Sequence, residues 1–154
     1  MASLKKTIKK KVFRKTKDVL PEKAVLSIQR ERLEGGGSRR FSPDSYSPTH
    51  SFSVVSAVYN VAKYLDDFLS NMVSQTIRKE SLQLVLVDDG STDESAEKIA
   101  DWMTRYPNLI TYVRKENGGQ ASARNLGIDH ATGDWVTFID PDDYVSRSYF
   151  EEVD

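Results

Sequence analysis

From Phe52 onward the chain repeats one pattern, a short apolar run followed by a longer amphipathic stretch. FSVVSAVYN (52–60) has the length and the β-branched, mostly apolar content of a strand covered on both faces. Val61, Tyr64, Leu65, Phe68, Leu69, Met72 and Val73 then recur three and four residues apart, which lays them along one face of a helix. SLQLVLVDD (81–89) predicts a second strand, and Asp93 can cap a helix running to about Arg105 with Ala96, Ile99, Ala100 and Met103 turned inward. NLITYVRKE (108–116) predicts a third strand, SARNLGIDHA (122–131) a short helix and DWVTFID (134–140) a fourth strand. Strands separated by helices of this length imply an α/β fold, a mainly parallel sheet with flanking helices and right-handed crossovers.

In such a sheet ligands sit beyond the carboxyl ends of the strands, where the loops converge. Tyr59 and Asn60 end the first strand, and Asp88 and Asp89 end the second. Asn117 to Gln120 follow the third, and Asp140 to Asp143 end the fourth. Asp-Gly and Ser-Thr-Asp are also ordinary turn and helix-capping chemistry. A turn-only account, however, leaves four polar clusters on one edge to coincidence. FIDPDDY is the most pointed of them. Carboxylates one residue apart are hard oxygen ligands, suited to a Mg²⁺ or Mn²⁺ ion shared with phosphate oxygens, although an isolated D-x-D is often no more than a turn. The glycine and twelfth-position Glu of an EF-hand loop are absent, and SAVYNVAKY offers no glycine for a dinucleotide-binding or P-loop turn.

The residues before this domain are of another kind. Residues 1–40 carry a net charge of +9 and residues 41–154 a net charge of −10, so an overall −1 conceals two electrostatically different halves. Leu4, Ile8, Val12 and Val19 share one side of a helical wheel that Lys11 and Lys15 interrupt. This reads as a solvated basic arm or as a weak amphipathic contact with anionic membrane. No aromatic-basic interleaving accompanies the charge, so nucleic acid is not an expected partner. EGGGSRRFSPDSYSPTHS reads as linker, and the domain boundary falls near Ser51. The sequence has no cysteine and no apolar run of spanning length, and its basic start is not followed by the apolar h-region that a secretory signal needs. That is compatible with the cytoplasm, and with the inner face of the membrane if the arm binds lipid.

VDDGSTD after a strand, then ENGGQASARNLGI, then GDWVTFIDPDD reproduce the order and spacing of motifs in the family 2 glycosyltransferases of GT-A fold, and the chain resembles that family from about Ser51 to its end. The resemblance implies the Rossmann-like nucleotide-binding half of such an enzyme. Tyr59 would stack on the nucleotide base and Asp89 would accept from a base N–H, with Asp88 beside it in the nucleotide-sugar site. Gly118 and Gly119 would let the backbone approach the nucleotide. Arg124 or Asn125 would serve the donor pocket, although Arg124 also reads as a helix residue paired with a surface carboxylate. Asp142 would be the metal ligand nearest the diphosphate, and Asp140 would lie near the ribose or the metal.

The implied reaction is inverting transfer of a sugar from a nucleotide-sugar donor, a UDP-sugar above all, to the hydroxyl of a carbohydrate or lipid-linked acceptor in cell-surface polysaccharide or glycoconjugate synthesis. Mn²⁺ or Mg²⁺ is the implied cofactor. The family's base lies well downstream of D-x-D, so it is expected beyond Asp154, and the chain reads as an incomplete domain without transfer activity. A non-catalytic nucleotide-sugar-binding fragment or module is the alternative. A sugar-nucleotide pyrophosphorylase fits less well, since it would want a glycine-rich, basic first loop.

Overall fold

The computed structural model describes residues 48–154, so the basic arm and all but the end of the linker lie outside the described residues. Strand β1 is Phe52–Val58, helix α1 Ala62–Val73, β2 Leu82–Asp88, α2 Ser95–Arg105, β3 Ile110–Arg114, α3 Gln120–His130, β4 Trp135–Phe138 and α4 Tyr149–Val153. A single 3-10 turn, Lys79–Ser81, leads into β2. The strands form one parallel sheet in the order β3-β2-β1-β4, which is the expected α/β architecture.

Period-two alternation divides the apolar strand residues between two layers. Val54, Leu84 and Leu86 pack on one side with Leu65, Phe68, Leu69 and Met72 of α1, Ile99 and Trp102 of α2, and Phe150 and Val153 of α4. Val55, Val85 and Val87 face the other side, against Ala123 of α3 and Ala131 after it. Here the helix lies very close, because Gly127 presents no side chain. A Cβ added there would stand 2.3 Å from Val55 Cγ1.

Several sequence expectations shift. Strand β1 ends at Val58 and β3 is confined to Ile110–Arg114, while α3 starts two residues early, at Gln120. Tyr64 and Ala100 are exposed, and the inward face of α2 is carried by Ser95, Ile99 and Trp102. Trp102 turns in because its indole N–H finds Asp66 Oδ1 at 2.9 Å, which satisfies the polar edge of a ring that otherwise packs on the core. Asp93 is not the capping residue itself. It lies one position earlier, where Oδ1 accepts the Ser95 amide at 3.0 Å and Oδ2 accepts the Ala62 amide at 3.0 Å, so one carboxylate serves the starts of both α1 and α2. On α4 Glu152 is exposed, whereas Glu151 is half-buried and its Oε1 has no hydrogen-bond partner among the described residues.

Among the described residues no helix is long and apolar enough to cross a membrane.

Candidate functional site

The register of the sheet builds the site. Val58 pairs with Asp88, and Asp88 with Arg114, so three strands finish in one row at the carboxyl edge. Strand β4 pairs with β1 only as far as Phe138 opposite Val55. Beyond it Ser56 Oγ donates to the Ile139 carbonyl at 2.6 Å and holds the approach to Asp140 against β1.

The adjacent carboxylates Asp88 and Asp89 coexist because each has its own partners. Asp88 is fully buried. Its Oδ1 accepts the Ser91 amide and its Oδ2 the Tyr112 hydroxyl, both at 2.7 Å, with Arg114 Nη1 at 3.7 Å. Burial, with the Asp88 hydrogen bond and charge, pushes the Tyr112 phenol up to about 12, so the hydroxyl remains a donor at neutral pH. Asp89 accepts from Lys115 Nζ at 2.6 Å and from the Gly118 amide at 2.9 Å through Oδ1, and from the Gly119 amide at 2.7 Å through Oδ2. Burial alone would raise the Asp89 carboxyl, but Lys115 and the two glycine amides together hold it below the ordinary carboxylate range. A carboxylate has about four lone-pair positions. The fourth, on Oδ2, has no protein donor among the described residues.

The two glycines serve different needs. Gly119 has φ 86° and ψ 161°, backbone that only glycine adopts readily. Gly118 instead leaves room, since a Cβ there would sit 2.7 Å from Lys115 Nζ. Together they turn the chain into α3, whose N-terminus, with its partial positive charge, lies at the same edge.

In the fourth cluster Arg124 Nη2 reaches Asp140 Oδ1 at 2.8 Å and Oδ2 at 2.7 Å, and Gln120 Nε2 adds a contact at 3.3 Å. The carboxylate that Arg124 pairs with therefore belongs to the D-x-D motif itself. The Asp143 amide donates to the Asp140 carbonyl at 2.9 Å, closing a tight turn around buried Pro141. Asp142 and Asp143 are exposed on that turn, and Asp142 makes no side-chain hydrogen bond among the described residues. Partial desolvation at the turn and the neighbouring charges of Asp140 and Asp142 hold the Asp143 carboxyl above its ordinary value. An excess of negative charge beside oxygen donors suits a hard cation. Among the described residues no three acidic, His or Cys side chains converge, so any ion there would draw further ligands from phosphate oxygens or water.

Tyr59 is 51% exposed at the end of β1, next to this edge. Asn125 is exposed on α3, and its side chain makes no hydrogen bond among the described residues. The sequence reading missed Lys115, Arg114 and Tyr112, and placed Gln120 at this edge without its contact to Asp140. The signal was present for the first two, because Arg-Lys ends the third strand as Asp-Asp ends the second, and parallel neighbours in register set the pairs side by side.

Residues 53–153 match the family model described as Glycosyl transferase family 2. Over 104 residues the chain is 44% identical to the minor teichoic acid biosynthesis protein GgaB of Bacillus subtilis, covering 68% of this chain and 12% of that protein. The fold superposes on Staphylococcus aureus TarS 1–349 in complex with UDP with a TM-score of 0.62 at 29% identity, covering 66% of this chain and 30% of that one. It superposes on the mannosyltransferase PcManGT of Pyrobaculum calidifontis, in complex with GDP-Man and Mn²⁺, with a TM-score of 0.60 at 29% identity, covering 78% and 35% respectively. The chain thus spans a minor part of each of these proteins. With the family match running through every motif of the carboxyl edge, the chain belongs to the family 2 glycosyltransferases.

Proposed function

We propose that this chain supplies the donor-binding part of an enzyme that transfers a sugar, with inversion, from a UDP-sugar to an acceptor hydroxyl during synthesis of a cell-surface glycopolymer. The observation that carries this reading is the convergence of Tyr59, Asp89, the Gly118–Gly119 turn, the Arg124–Asp140 pair and Asp142–Asp143 on one edge of the sheet. Relatives named for teichoic acid synthesis, and neighbours that hold UDP or GDP-Man with Mn²⁺, support the choice of substrate class.

In this reading the exposed Tyr59 ring stacks on the base, and the remaining lone pair of Asp89 Oδ2 accepts a base N–H. Asp89 also fixes the Gly118–Gly119 turn, which brings the backbone close to the nucleotide. Arg124 neutralises and orients Asp140, so Asp142 and Asp143 are the carboxylates left to hold a divalent cation. When bound, that cation offsets the negative charge developing on the leaving diphosphate. Holding donor and acceptor in line supplies much of the remaining acceleration.

Calorimetry with UDP and Mn²⁺ tests the reading. Binding is expected to require the metal and to weaken about tenfold or more in Asp142→Asn, with the thermal unfolding curve unchanged. Equal affinity for UDP with and without Mn²⁺ in both proteins would remove Asp142 from the site.

A further inference from the structure

We infer that Asn60 is a positioning residue for the nucleotide base, holding the Tyr59 backbone and the Asp88–Asp93 loop as one rigid unit. The inference rests on the donor-binding reading of Tyr59. Among the described residues Asn60 is the one non-glycine with positive φ, at 54°. Asparagine tolerates this left-handed backbone better than most residues, but it still needs a local compensation. Its side chain supplies one. Oδ1 accepts the Thr92 amide at 2.8 Å, the Asp93 amide at 3.3 Å and the Thr92 hydroxyl at 3.3 Å, while the Asn60 amide donates to Ser91 Oγ at 3.1 Å.

The place of these bonds gives them their consequence. The β1–β2 ladder ends with the Asp89 amide donating to the Val58 carbonyl at 2.8 Å, and the two chains then diverge toward separate helices. Asn60 spans the divergence. Beyond it the Val61 amide donates to Ser95 Oγ at 3.2 Å and the Ala62 amide to Asp93 Oδ2 at 3.0 Å, so the whole β1–α1 connection is tied to the β2–α2 loop. Tyr59 lies between two fixed points, Val58 in the ladder and Asn60 in the clamp, yet the residue is 51% exposed. An exposed ring on a fixed backbone is a preorganised stacking surface, which loses little freedom when a base binds. The same clamp holds Thr92 and Asp93 immediately after Ser91, whose amide is bound by Asp88. Ring and acidic pair are therefore tied on both sides of Tyr59, by the ladder at Val58 and by the Asn60 side chain.

Two requirements meet at this position, a left-handed backbone and a short side chain with an oxygen acceptor. Glycine meets the first alone, and aspartate meets both. In the full chain, with UDP and Mn²⁺ as the probe, Tyr59→Ala is expected to weaken binding about tenfold, as loss of a base stack does. Asn60→Gly is expected to weaken it several-fold to about tenfold, and Asn60→Asp to stay within about threefold of the parent. Added to Tyr59→Ala, Asn60→Gly should cost nothing further, because residues acting through one contact are not additive. Ser91→Ala, which removes the acceptor of the Asn60 amide, carries the same expectation by a second route. Parental affinity in both Asn60→Gly and Ser91→Ala beside a weakened Tyr59→Ala would overturn the inference and leave the donor-site reading standing. An equal loss from Asn60→Gly in both Tyr59 backgrounds would also overturn it, as a merely structural effect. Parental affinity in Tyr59→Ala would instead remove Tyr59 from the donor site and the inference with it.

Discussion

Gly127→Ala isolates the contact that fixes the donor-side helix on the sheet. The added Cβ would lie 2.3 Å from Val55 Cγ1 and 3.2 Å from Val87 Cγ2, against about 3.5–4.0 Å for an unstrained carbon contact. The overlap with Val55 thus exceeds roughly 1 Å. Val55 is fully buried and β-branched, so a rotamer change gives no relief. Alanine in a helix interior gains about 1 kcal/mol over glycine, while overpacking a tight core costs about 1–3 kcal/mol. With an overlap this large the upper end applies, and the net loss is about 2 kcal/mol. Urea unfolding of the full chain should show it as a midpoint lowered by about 1 M, the slope remaining within its usual range. A functional readout accompanies it. Helix α3 carries Arg124 and begins at the turn held by Asp89, so backing it off the sheet strains the 2.7–2.8 Å Arg124–Asp140 contacts and weakens UDP binding with Mn²⁺. A variant as stable as the parent, or more stable by the helix-propensity gain alone, would refute the close-contact reasoning.

Gly119→Ala poses the opposite problem, since nothing lies within 4 Å of the added Cβ and the cost is conformational, about 1–3 kcal/mol, again read as a urea midpoint. Acid should destabilise the domain. Burial alone would raise the Asp93 carboxyl, but the Ser95 hydroxyl and the Ala62 and Ser95 amides hold it below its ordinary value, and Asp89 is lowered likewise. Their stabilisation is fully present above the unfolded value of about 3.9 and is lost as pH falls through the lower folded values. Asp93→Asn should flatten that loss between about pH 4 and pH 2 in a urea titration series. Deleting residues 1–40, which carry +9, should reduce binding to anionic liposomes in a salt-sensitive way without changing nucleotide affinity, and equal liposome binding by both proteins would assign the arm no membrane role.

Elements set by periodicity were legible in the sequence, and partners set by register were not. Runs such as LVLV show their burial on both faces directly, and the three-and-four spacing of Leu65, Phe68, Leu69 and Met72 announces the inner face of α1. Trp102 was missed because its inward turn depends on Asp66, thirty-six residues away. The α3 start was placed late because the Gly118–Gly119 pair carries no helix-start signal until the Gly-only backbone of Gly119 and the Asp89 acceptor are seen. In the same way the motif spelling marks Asp88 and Asp89 as a pair. Only the β2–β3 register shows that Tyr112 and Arg114 take one and Lys115 the other.

The charge arrangement of the edge follows from that division. Asp88 lies beside Arg114, Asp89 beside Lys115 and Asp140 beside Arg124, so three of the acidic groups that read as ligands are each paired with a cation from a neighbouring element. A buried carboxylate stripped of its partner is costly, and these pairs therefore act first as fixed points for loops. Each also accepts a backbone amide or orients a helix side chain, which converts charge into geometry. Among the described residues Asp142 and Asp143 have no cation within ion-pair distance. They form the least compensated part of the edge, and the raised Asp143 carboxyl is the local consequence. In the donor-binding reading proposed above, a cation there would offset that repulsion and draw a diphosphate to the same spot. In that reading the paired carboxylates build the walls of the site, and Asp142 and Asp143 set the charge it would attract.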